Sequence, residues 1–70
     1  MLHRLNFAIM VLALKDNHQL AVTIPAGKIV DVVASAEDDR FVVVTVDGEQ
    51  FHAFASDLAD RASQIRTVGG

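Results

Sequence analysis

The sequence predicts a mostly β chain, a small five-stranded antiparallel barrel with one short helix near the C-terminus. Three observations carry this. Short runs of β-branched and apolar residues recur between clusters of turn residues, as in small β domains. Asp47-Gly48 is a strong two-residue hairpin signal, because both central positions of such a turn need positive φ. Near the end of the chain Leu58, Ala62 and Ile65 fall at i, i+4 and i+7, one face of a short helix.

The elements follow in order. Phe7 to Leu14 is apolar on both faces, which fits a buried strand or a buried helix; Ile9, Val11 and the turn residues Asp16-Asn17 favour the strand. Leu20, Val22 and Ile24 alternate with Ala21 and Thr23 to make a second strand. Pro25-Ala26-Gly27 reads as a type I turn, with proline presetting φ at its second position. Lys28 to Ala34 is a third strand, and Ser35 to Arg40, with Glu37-Asp38-Asp39, is a solvated loop. Phe41 to Val46 and Glu49 to Phe54 form the hairpin around Asp47-Gly48. The helix is expected near residues 56 to 64, with Ser56 or Asp57 as its cap, and Ile65 to Val68 competes for the same region as a last strand. The alternative architecture is an N-terminal helix packed on a three- or four-stranded sheet.

With 70 residues the chain is read as one domain, 1–70. It has no cysteine, so no disulfide or thiolate cage can hold it together, and its 51% hydrophobic content must supply the stability. The lack of cysteine also fits a reducing compartment, so a cytoplasmic location is the expectation. The net charge of −3 and the scattered Arg4, Lys15, Lys28, Arg40, Arg61 and Arg66 argue against nucleic acid as a partner. The apolar run from Leu5 to Leu14 is too short to span a bilayer and reads as a buried strand, so no membrane association is expected.

No catalytic or metal site and no cofactor is expected. His3, His18 and His52 have no ligand neighbours at a recognised spacing. Gly27-Lys28 lacks both the preceding glycine and the following Ser or Thr of a phosphate loop. Ser56 sits in no nucleophile elbow.

The hairpin yields the sharpest inference. A two-residue turn pairs Val46 with Glu49, Val44 with Phe51 and Val42 with Ala53. One face then carries Val42, Val44, Val46, Phe51 and Ala53 and reads as core. The other carries Phe41, Val43, Thr45, Gln50, His52 and Phe54, too apolar for an ordinary solvent face. A barrel interior holds alternate residues only, so the remaining apolar side chains need a cover. The expected function is a non-enzymatic protein-interaction or self-assembly module. Phe41, Val43, His52 and Phe54 are its expected interface, followed by Phe7 and Ile9 of the first strand. A homo-oligomer, dimer or tetramer, is the expected state, and another protein is the alternative partner.

Two family resemblances are carried by particular residues. Val22-Thr-Ile-Pro-Ala-Gly27 with Ile29 and Val32, the hairpin, and Ala55-Ser-Asp-Leu58 resemble the SH3-like barrel over residues 20 to 62. The resemblance implies a five-stranded SH3-like domain. It does not extend to proline-rich peptide binding, because Tyr and Trp are absent and Phe41-Val42 stands where that family has its tryptophan pair. Gln50-Phe51-His52, with Ala55, Leu58 and Arg61 beyond, is similar to the Gln-Ile-Tyr segment of type II (plasmid-borne) dihydrofolate reductases, which are tetrameric barrels around a pore. That similarity implies a small-molecule or reductase-like site at a subunit interface. Gln50, Phe51 and His52 would line it, with His52 replacing the family's tyrosine.

Overall fold

The computed structural model describes residues 1–65. Seven strands and one helix follow in the order β1 (Leu2–Leu5), β2 (Ile9–Lys15), β3 (His18–Ile24), β4 (Ile29–Ser35), β5 (Phe41–Val46), β6 (Glu49–Phe54), α1 (Ala55–Arg61) and β7 (Ala62–Gln64). They form one antiparallel sheet in the order β3-β2-β6-β5-β4-β1-β7. The chain is mostly β with a short C-terminal helix, as its sequence predicts. It is not the five-stranded barrel, because among the described residues the sheet has seven strands and two open edges, β3 and β7. The two additional strands are short pieces, β1 and β7, that pair with each other and lack any alternating signature of their own.

Chain length forces this sheet to curl. Only Pro25 to Lys28 connect β3 to β4, yet β2, β6 and β5 lie between those strands. Four flat strand spacings would cover roughly 19 Å. The five backbone steps from Ile24 to Ile29 reach roughly 17 Å fully extended. The connection is not extended. The N–H of Lys28 donates to the carbonyl of Pro25 at 3.4 Å, and Gly27 has φ of +90°. That turn spans Pro25 to Lys28 with glycine third, the position where type II turns need positive φ, so the expected type I turn is corrected. The sheet therefore bends until the end of β3 comes near the start of β4.

The core fills the inside of that bend. Leu5, Ile9, Val11, Ala13, Ile24, Val30, Val44, Val46, Phe51, Ala53 and Leu58 are buried, and Val22, Val32, Val42 and Ala62 pack against them. The β5–β6 register is the one the Asp47-Gly48 turn dictates, with Val44 opposite Phe51 and Val42 opposite Ala53. Both turn residues have positive φ, as do Asp16 and Asn17 between β2 and β3. An extra residue at Val33 bulges β4 between Val32 and Ala34.

The helix starts at Ala55, preceded by Phe54 with no side-chain cap. Ser56 and Asp57 lie inside the first turn, with Phe54 at the N-cap position, so neither caps the helix; its first N–H donates to the carbonyl of Arg40 at 2.8 Å. Leu58 carries its burial. The last described strand is Ala62–Gln64, and the expected strand at Ile65 to Val68 lies largely outside the described residues. No helix is long and apolar enough to cross a membrane among the described residues.

Two substitutions separate packing from backbone geometry. Leu58→Ala removes the helix's buried anchor and is expected to cost about 2–5 kcal/mol in urea unfolding. Gly48→Ala meets no atom within 4 Å but must hold φ of +84°, so a smaller loss of roughly 1–2 kcal/mol is expected. A larger loss at Gly48 than at Leu58 would contradict this division.

Candidate functional site

The outer face of the sheet is as apolar as a second core. Alternation sends Ile9, Val11 and Ala13 of β2 inward and Met10, Leu12 and Leu14 outward. On β5 and β6 it sends Phe41, Val43, Thr45, Gln50, His52 and Phe54 outward. The cross-strand register aligns these side chains. Leu12 lies opposite His52, His52 opposite Val43, and Phe54 opposite Phe41. The Phe41 and Phe54 rings tilt together with centroids 4.7 Å apart, and His52 lies 6.5 Å from Phe41. Leu14 remains 65% exposed, Met10 53% and Phe54 36%.

Two concavities open on this face. The larger, about 460 Å³, has Leu12, Phe41 and His52 among its lining residues. Gln19 of β3 and Ala36, Glu37 and Asp38 of the β4–β5 loop complete it, so the β2–β3 hairpin and that loop flank a groove. The smaller, about 320 Å³, is bordered by Leu12, Leu14, Val43, Gln50, Phe51 and His52.

The β4–β5 loop is braced. Arg40 donates from Nε to both carboxylate oxygens of Asp38, at 3.1 and 3.2 Å, and from Nη2 to Oδ2 at 2.7 Å. The Arg40 backbone N–H adds a bond of 3.0 Å. Backbone bonds from Phe41 N–H to Asp38 and from Ala36 N–H to Phe41 close the loop, at 3.0 and 3.3 Å. The Arg40 side-chain bonds, then its backbone N–H, hold the Asp38 carboxyl at about 2, below its ordinary 3.8. The same contact raises the Arg40 guanidinium.

The structure distributes the sequence-derived site residues unevenly. Phe41, Val43, His52 and Phe54 share the outer face. Phe7 is exposed in the bend between β1 and β2, off the strands. Ile9 is 3% exposed and packs in the core, so it is not available to an interface. Gln50 and His52 lie on the outer face, and Phe51, 8% exposed and part of the core, borders the smaller concavity with them. Met10, Leu12, Leu14 and Gln19 were not singled out by the sequence, although the unbroken apolar run of β2 signalled that one parity had to face outward.

His3 borders a third concavity with Val32, Val42, Ala55, Leu58 and Ala59, while His18 is exposed beside the hairpin turn. Among the described residues no three of His, Cys, Asp and Glu gather as a metal-binding group. The geometry thus offers apolar contact, a few hydrogen-bonding side chains and one imidazole. Compared with protein-family models, curated proteins and solved structures, the chain matches none.

The loop brace predicts a pH response. Asp38 has a lower pKa folded than unfolded, so the linkage contributes above about pH 4 and is lost as pH falls through about 2. Both groups are exposed, so the effect on global stability is small. Carboxyl-carbon NMR should give Asp38 a midpoint near 2, and Arg40→Ala should return it toward 3.8. A wild-type midpoint already near 3.8 would mean the brace does not form in solution.

Proposed function

We propose that this protein is a non-enzymatic self-assembly module whose outer sheet face is the contact surface. The apolar stripe of Met10, Leu12, Leu14, Phe41, Val43 and Phe54 around His52 is the observation that carries the reading. Water-exposed apolar area on this scale is stabilised by being covered, at about 25 cal/mol per Å². A symmetric contact between copies covers it without open-ended growth. Glu37 and Asp38, with Arg40 bound to Asp38, flank the stripe at the β4–β5 loop, and Asp31 shares the outer face opposite Thr45, while the residues of the stripe itself carry no formal charge.

A second reading comes from the smaller concavity. Gln50 and His52 present an amide and an imidazole from one face beside Leu12, Leu14 and Val43. Together with the similarity to type II dihydrofolate reductases, this supports a small-molecule site formed where copies meet. A thermal-shift series with dihydrofolate and NADPH addresses it. A saturable shift that Gln50→Ala removes would favour this reading over a pure scaffold.

Sedimentation velocity at micromolar concentration tests the first reading. The wild type is expected to sediment as a species larger than the monomer. Phe54→Glu and Leu14→Glu are each expected to weaken association tenfold or more. Leu14 is mostly exposed in the single chain, so its variant keeps the wild-type circular dichroism. A wild type that stays monomeric at every concentration refutes the proposal.

A further inference from the structure

We propose that β3 is a pairing edge: two copies join their β3 strands antiparallel across a two-fold axis at Ala21, making one continuous sheet. The inference rests on the self-assembly reading above but uses a different surface, the sheet edge.

The backbone groups that face outward follow from the hairpin turn. Asp16-Asn17 is a two-residue loop with Lys15 opposite His18, which makes that pair the hydrogen-bonded one that closes the hairpin. Hydrogen-bonded and non-bonded pairs alternate along an antiparallel ladder. His18, Leu20, Val22 and Ile24 therefore bond to β2. Gln19, Ala21 and Thr23 direct their N–H and C=O groups away from the sheet. Among the described residues, β3 pairs only with β2, and no other backbone hydrogen bond engages these three residues.

Edges are ordinarily guarded by lysine, proline, a bulge or shortness. The β7 edge is guarded by shortness, with three residues. β3 has seven, no proline, no formal charge and an unbroken register with β2. It is the unguarded edge of the described sheet.

The strand is also complementary to itself. Centring the pair on Ala21 sets Gln19 opposite the partner's Thr23, Leu20 opposite the partner's Val22, and Ala21 opposite the partner's Ala21. All three outward residues are then used, giving about six main-chain hydrogen bonds. Centring on Leu20 leaves Thr23 unpaired, and centring on Val22 leaves Gln19 unpaired. A register between two residues sets an outward group against an inward one. On the core side, Leu20, 49% exposed in the single chain, gains the partner's Val22 as a neighbour. On the outer side, the smallest side chains meet on the axis, and a glutamine amide faces a threonine hydroxyl. The axis runs perpendicular to the sheet, so both apolar outer faces emerge on the same side and merge into one larger contact surface.

The test uses Ala21→Pro, Ala21→Cys and Leu14→Glu. Proline at Ala21 removes an N–H that bonds nothing within the chain, as edge strands tolerate. Ala21→Pro should therefore keep the wild-type circular dichroism and weaken self-association at least tenfold. The chain has no native cysteine, and hydrogen-bonded partners lie about 5.5 Å apart at Cα, within disulfide reach. Ala21→Cys should therefore form a covalent dimer on mild oxidation, whereas Asp60→Cys on α1 should not. Loss of association in Ala21→Pro but not in Leu14→Glu would support the edge and reject the face. An Ala21→Pro variant that assembles like wild type, with no cross-link at Ala21→Cys, overturns the edge and leaves the face reading standing. Wild-type monomers at all concentrations overturn both. Should Ala21→Pro unfold, the cross-link decides.

Discussion

Four residues, Pro25 to Lys28, tether two strands that are separated by three others in the sheet, and the rest of the structure depends on that tether. Too short for a flat sheet, it bends seven strands around a single interior. The bend encloses Val11, Val30, Val44 and Ala53 almost completely, although the chain is small. It also explains why an open sheet hides a core that a closed barrel would hide. Among the described residues nothing covers the outside, and nothing pairs the free side of β3.

The outside therefore inherits whatever the alternating strands leave there. In a half-exposed antiparallel sheet that remainder is polar. Here β2 contributes Met10, Leu12 and Leu14, and β5 and β6 contribute Phe41, Val43 and Phe54, so the sheet carries two apolar faces and has covered one. The braced Asp38–Arg40 loop walls one side of the uncovered face, and the β2–β3 hairpin forms the other side. Covering a surface of this kind with another protein surface removes apolar area from water. The same physical argument carries both the proposed face contact and the proposed edge contact.

Local geometry was legible in the sequence and long-range geometry was not. The β5–β6 faces could be assigned residue by residue, because a two-residue turn at Asp47-Gly48 fixes the register of the strands it joins. No turn joins β2 to β6, so the sequence leaves the parity of β2 open, and Ile9, an interface residue by sequence, lies in the core. The strands β1 and β7 are too short to show a period; β1 pairs with β4, and β7 pairs with β1. Ser56 looked like a helix cap by residue type. The helix begins at Ala55, which puts Phe54 at the cap position and Ser56 inside the first turn. In the candidate site, Phe41, Val43, His52 and Phe54 were legible through the hairpin, and the β2 contribution became visible only with the β2–β6 register.

The central claim is that the outward side chains are covered by another copy in solution. A methyl-NMR dilution series reads this directly, because each valine, leucine and methionine reports its own surroundings. From high to low micromolar concentration, the methyl signals of Met10, Leu12, Leu14 and Val43 should move together along one binding isotherm, while those of Val44, Val30 and Leu5 stay in place. Outward methyl signals that are unchanged across the series would contradict the account.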